Sequence, residues 1–232
     1  MKKTILTLGV IAASTVASHA AVMLGDLAVV GYNADNPDRF WIMALNEIAA
    51  GETFLFTDNG WSSSQSFRTG EGRKTYTVGA TITVGSIVQI GVSEGTGTAP
   101  ALSTGGDQLL IFTGTSADPT FLYGVNNEGT GVWQANATNS NTSALPTGLT
   151  NGTTAVALNE KDNATFNFGT HGSDKTAAEW LIAIGNKNNW ISDDSTLLEP
   201  TVTSAVVTPI PEPSSAALLG LAVLALVFRR HK

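Results

Sequence analysis

Between residues 26 and 168 the chain is a succession of short apolar runs, each cut off by turn residues. The runs 26–32, 40–45, 53–57, 74–78, 87–92, 108–113, 120–123, 154–158 and 164–168 are rich in Val, Ile, Phe, Tyr and Thr. Such side chains suit a pleated, half-buried surface. Asp58-Asn59-Gly60, Gly105-Gly106-Asp107 and Asn151-Gly152 break the runs with residues that accept tight-turn geometry. Repeated short strands with such breaks predict a sandwich or barrel. One helix is expected near the end of this region. Thr176 and Glu179 have capping-box spacing, Trp180, Leu181 and Ile184 share a helical face, and Gly185 is placed to stop the helix. Stretches 100–106 and 134–143 read as loops, the second Asn/Thr/Ala/Ser-rich and mobile. No repeat of fixed period is present.

The chain has 232 residues and no cysteine, so no disulfide staples it and a buried core must hold it together. A body of about 180 residues is long enough to bury one. Charged residues are 13% of the chain, against roughly 25% in ordinary soluble proteins. Polarity comes instead from Thr, Ser, Asn and Gly, a surface that suits an extracellular setting. The charge is unevenly placed: Lys2, Lys3, Arg229, Arg230 and Lys232 lie at the ends. Setting these five and Glu212 aside from the 12 basic and 19 acidic residues leaves seven basic and 18 acidic, a net charge near −11 for the middle. That balance argues against nucleic-acid binding, which needs a basic footprint.

Residues 1–20 read as a signal peptide. Lys2 and Lys3 form a positive start, the run 5–13 is mostly apolar, and Ser18-His19-Ala20 puts small residues at the −3 and −1 positions. Signal peptidase is therefore expected to cut between Ala20 and Ala21. At the other end Pro211-Glu212-Pro213 precedes Ser214-Ser215, an unbroken apolar run 216–228, and the cationic close Arg229-Arg230-His231-Lys232. An apolar segment followed by cations is a stop-transfer pattern: Arg229, Arg230 and Lys232 stay in the cytoplasm and the preceding body lies outside. The run is shorter than the roughly 20 residues a comfortable span needs, so it reads as a marginal, temporary anchor in the inner membrane.

The order Pro-Glu-Pro, hydrophobic helix, basic terminus resembles the PEP-CTERM sorting signals of Gram-negative bacteria, a segment also labelled an ice-binding-protein C-terminal domain. The resemblance covers residues 208–232 and implies processing by an exosortase, a membrane-embedded cysteine protease-transpeptidase, at Pro211, Glu212 and Pro213. It also implies delivery to the cell surface or to extracellular polymer. In the middle, Gly25-Asp26-Leu27-Ala28-Val29-Val30-Gly31-Tyr32-Asn33-Ala34-Asp35 and Phe54-Leu55-Phe56-Thr57-Asp58-Asn59-Gly60-Trp61 resemble the opening of secreted lamin-tail-like sandwiches of immunoglobulin type. Gly106-Asp107-Gln108-Leu109-Leu110, Leu145-Pro146-Thr147-Gly148-Leu149 and Asp162-Asn163-Ala164 fit the same pattern. That likeness implies a fold and a surface location, and brings no activity with it.

Four kinds of site chemistry have local patterns in the chain. Gly91-Val92-Ser93-Glu94-Gly95 matches the nucleophile-elbow pattern, with Asp107 and His171 following in triad order. The glycine- and threonine-rich residues after it are a poor helix start, and the bland alternative is a serine in a strand-end loop. Asp35, Asn36 and Asp38 in one loop, and Asp58 and Asn59 in another, offer oxygens that calcium favours, but turns need the same residues. Without Cys or clustered His, no zinc or redox metal site is expected. Among the tryptophans, Trp41 and Trp180 fall in strand and helix patterns and read as core, whereas Trp61, Trp133 and Trp190 lie near loops and are the candidates to stack on a glycan. Thr75, Thr77, Thr81 and Thr83 alternate, as in threonine ladders on ice-binding surfaces, and equally as in any strand.

The sequence thus predicts an all-β, immunoglobulin-like or lamin-tail-like β-sandwich with one short helix, between an N-terminal signal peptide and a C-terminal hydrophobic helix. Its parts are a signal peptide over 1–20, the exported domain over 21–200, a linker over 201–210 and the sorting signal over 211–232. The expected function is a non-catalytic structural or interaction module of the surface or matrix, with no cofactor. The alternatives are a module binding extracellular polysaccharide or calcium, and a serine hydrolase.

Overall fold

The computed structural model describes residues 21–210; the signal peptide and the Pro-Glu-Pro, apolar and cationic segments lie outside the described residues. Strands β1 (Leu27–Asn33), β2 (Arg39–Ala44), β5 (Ile87–Gly91), β10 (Asn163–Phe166) and β11 (Trp190–Asp193) form a five-stranded sheet in the order β11-β10-β1-β2-β5. Strands β3 (Thr53–Thr57), β4 (Arg73–Thr77), β6 (Thr96–Thr98), β7 (Gln108–Gly114), β8 (Pro119–Asn126) and β9 (Ala155–Ala157) form a six-stranded sheet in the order β6-β4-β3-β7-β8-β9. All strand pairs are antiparallel except β8 with β9.

Two sheets packed face to face make a β-sandwich, and side-chain alternation shows why. On β7, Leu109 and Ile111 enter the core between the sheets, while Leu110 and Phe112 enter a second cluster on the opposite face. In the main core Phe40 of β2 meets Phe56 of β3 edge to face, with ring centroids 5.0 Å apart. The second cluster gathers Trp61, Leu110, Phe112, Phe121, Leu149 and Ala155 beneath the long loops 58–72 and 127–154. The six-stranded sheet is therefore apolar on both faces.

A four-residue helix α1 (Phe168–His171) precedes α2 (Ala177–Gly185), the helix expected from its capping box. Glu179 N donates to Thr176 Oγ1 and Thr176 N donates to Glu179 Oε2. Each side chain thus satisfies a backbone donor that the helix start leaves free. Trp180 and Ile184 are fully buried and Leu181 is half-buried. Gly185 has a second role beyond ending the helix: a Cβ there would lie 2.2 Å from the carbonyl carbon of Gly152, so the close packing of α2 on the turn before β9 requires glycine.

The segment expected to be a linker from residue 201 is held to the body as far as Thr208. Ile87 N donates to Thr203 O, Ala205 N to Gly85 O, and Thr208 N to Lys175 O. The indole Nε1 of Trp180 donates to Val206 O at 2.8 Å. Among the described residues no helix is long and apolar enough to cross a membrane.

Candidate functional site

The loop after β6 is held by three aspartates from three different parts of the fold. Ala101 N donates to Asp58 Oδ2, Leu102 N to Asp38 Oδ2 and Ser103 N to Asp107 Oδ2, each at 2.8 Å. Asp107 Oδ1 also accepts from Gln108 N and Gln108 Nε2, and the Gln108 amide donates on to Asp58 O and Ser140 O. Burial dominates the electrostatics here, because a carboxylate removed from water favours its neutral form. It pushes Asp107 up to about 8, against the N–H donors of Gln108 and Ser103 and helped by the charges of Asp58 and Glu71. It pushes Glu71 up to about 7, with Asp58 adding to the shift and Arg68 opposing it. Asp38 and Asp58 are raised by the same cause.

Beside this network the six-stranded sheet opens into a cleft of about 720 Å³ at its β4–β6 edge. Loop residues 66–71, the exposed side of β4, β6 and the turn at 116–117 line it. Arg73 and Thr75 alternate with Lys74 on β4, so they face the cleft while Lys74 turns inward, nearly fully buried, and donates to Gly95 O. The cleft also carries Arg68, Phe67 and Glu71, whose Oε2 is buried without a hydrogen-bond partner among the described residues. Arg68, Glu71 and Arg73 were not singled out in the sequence; they read there as solvated charges of a loop and a strand start.

The tryptophans expected near ligand do not line this cleft. Trp61, placed by the sequence in an accessible loop, is 4% exposed. It sits edge to face with Phe67 at 5.0 Å and with Phe121 at 4.9 Å, because the loop it heads folds back over the sheet. Trp133 is half-buried against the same cluster and donates from Nε1 to Asn151 Oδ1. Trp190 on β11 is half-buried, donates from Nε1 to Ile184 O and packs on Phe166. All three support packing, Trp61 most completely.

Ser93 lies in the exposed turn after β5, and the next element is strand β6 rather than the helix a nucleophile elbow needs. His171 closes α1, its ring 5.9 Å from Phe166. Among the described residues no hydrogen bond links Ser93, Asp107 and His171. Four of the five Asx residues that could offer oxygens to calcium have other partners. Asp35 Oδ2 accepts from Asn163 Nδ2 and Asn59 Oδ1 from Glu71 N, while Asp38 and Asp58 hold the loop at 101–102. A separate trio, Glu160, Asp162 and Asp194, brings carboxylate oxygens within 4.8 Å of one another, with Lys161 Nζ already paired to Asp194.

Among the described residues, the last backbone hydrogen bond to the body comes from Thr208, one residue before a recognisable signal. Residues 209–231 match the PEP-CTERM protein-sorting motif. The chain carries an exosortase sorting signal. The PEP-CTERM motif marks an exported protein of Gram-negative bacteria, processed at the membrane. No curated protein and no solved structure matches the chain.

Proposed function

We propose that the β-sandwich is the exported cargo of this signal, a non-catalytic structural or interaction module that ends on the cell surface or in the extracellular matrix. The observation that carries this reading is the junction between body and motif. The body is hydrogen-bonded through Thr208 and the PEP-CTERM match begins at residue 209, so folded cargo and sorting signal are adjacent, separate stretches of chain. In this reading signal peptidase cuts between Ala20 and Ala21, an exosortase acts at Pro211, Glu212 and Pro213, and Arg229, Arg230 and Lys232 hold the tail in the inner membrane until then. The likeness to secreted lamin-tail sandwiches agrees with the two-sheet architecture. The strand that follows Ser93, where a nucleophile elbow needs a helix, speaks against the hydrolase alternative.

The test replaces Pro211, Glu212 and Pro213 with alanine in a host that has its exosortase, and reads intact mass and location. The normal chain is expected to lose its tail and leave the inner membrane while the variant keeps both tail and anchor. Retention of the tail by both chains would overturn the reading.

A second reading, a module that binds polysaccharide, is favoured by the cleft at the β4–β6 edge with its two arginines.

A further inference from the structure

The basic side chains of the described body are almost all engaged. Arg39 pairs with Glu199 and Lys161 with Asp194. Lys74, Lys175 and Lys187 donate to backbone carbonyls. Arg68 and Arg73 differ: among the described residues neither guanidinium has a carboxylate within 4.0 Å, and the one hydrogen bond from Arg68 reaches Thr69 O at 3.5 Å. Both unpaired cations line the same cleft. In a body with a net charge near −11, two guanidinium groups without a carboxylate partner that line one cleft stand apart from the other basic side chains.

The one acid in the cleft does not cancel them. Burial holds the Glu71 carboxyl up at about 7, so near neutrality much of it is uncharged and able to donate a hydrogen bond. Thr75 and Thr98 add hydroxyls, and the half-buried ring of Phe67 adds an apolar wall. A planar guanidinium fork suits a carboxylate, which it can bind through two parallel N–H donors. Hydroxyls and a ring edge suit a sugar. The cleft is also open along the sheet: β6 is the edge strand of its sheet, so a chain can enter and leave without threading.

We propose that this cleft binds a carboxylate-bearing polysaccharide, with Arg68 and Arg73 gripping the acid groups. The inference deepens the polysaccharide-binding reading and rests on it, but not on where the tail is cut. A nucleic acid fits less well, since duplex DNA carries a charge about every 1.7 Å and the acidic body would repel it.

The test titrates the full chain, purified in detergent, with polygalacturonate, with neutral dextran and with single-stranded DNA. Arg68→Gln, Arg73→Gln and the double variant are run alongside, each checked by thermal melting to confirm the fold. Saturable binding of polygalacturonate is expected, weakened about tenfold by each substitution, with dextran and DNA much weaker. An unaltered melt with lost binding assigns the effect to the cleft. No polygalacturonate binding, equal binding of dextran, tighter binding of DNA, or unchanged affinity in the double variant would each overturn the proposal. Because binding is read on purified protein, its failure leaves the sorting reading untouched, and failure of tail removal leaves this one untouched.

Discussion

At the scale of single residues the structure's main investment is in buried carboxyl groups. Asp107 is 2% exposed and held up at about 8, and Glu71 at about 7, chiefly by loss of water. In an unfolded chain both titrate near 4. For an acid whose folded value is raised, the stabilising contribution is full below the unfolded value and is lost as pH climbs through the folded one. The groups facing Glu71 are Asp58 and Arg68, and those facing Asp107 are Asp58 and Glu71. The thermal midpoint is therefore expected to fall as pH rises from about 4 to about 8, most steeply near 5 to 6.5, where both groups are ionised in the unfolded chain and protonated in the folded one, and to level off above about 8. Glu71→Gln should flatten that slope between about 5 and 7, where Glu71 is protonated only in the folded chain, and leave the part from 7 to 8 that belongs to Asp107. Melts at closely spaced pH values in one buffer ionic strength check this; a flat or rising midpoint over that range would contradict the burial argument.

At the scale of elements the segment from Thr203 to Thr208, a strap that makes only isolated bridges, decides how the C-terminal part of the body is closed. Trp180 is fully buried, and its indole N–H is satisfied by Val206 O. A chain ending at Pro200 would strand that donor in an apolar setting, at a cost of about 1–3 kcal/mol, and would leave Gly85 and Ile87 unpaired as well. Compared with a chain ending at Ile210, it is expected to unfold at lower urea concentration with a similar slope. The same segment shows where sequence reading stops. Capping-box spacing revealed α2, and Val/Ile/Phe runs revealed β1 to β5 and β7 to β10, because those signals are local. The edge strands β6, with sequence Thr-Gly-Thr, and β11, Trp-Ile-Ser-Asp, have no apolar alternation and exist only because a neighbour pairs with them. A Thr/Val/Pro-rich stretch reads as a linker for the same reason. Loop 134–143 reads as mobile from composition, yet Ser140 O and Asn141 Nδ2 tie it to Gln108 and Gly106. Trp61 misled because loop position says nothing of a loop folding back over its own sheet. The cleft arginines were silent because their meaning lies in missing partners, which spacing along a chain does not record.

At the scale of the whole molecule the question is how a membrane-embedded enzyme reaches a signal whose match begins one residue after Thr208, which is hydrogen-bonded to the body. Thr208 is the last of the described residues hydrogen-bonded to the body, and Pro211 lies three residues beyond it in sequence. Extended chain covers at most about 3.6 Å per residue, so a cut at 211–213, as proposed, would fall within roughly 10–20 Å of Thr208 while that segment, the strap, is docked. Either the body rests against the enzyme's face or the strap lifts first. The strap is held by several backbone hydrogen bonds and the Trp180 indole, and lifting it would expose a buried donor, so crowding by the docked body is the expected brake. Inserting six Gly/Ser residues between Ile210 and Pro211 adds up to about 20 Å of reach without touching the body or the matched tail. Tail removal, followed by intact mass after a pulse of synthesis, should then be faster than in the normal chain. An equal rate would mean that the strap detaches readily under processing conditions. In that case a chain whose strap is weakened by Gly85→Val, where any Cβ would meet Ala205 O at 2.0 Å, should be processed no faster either.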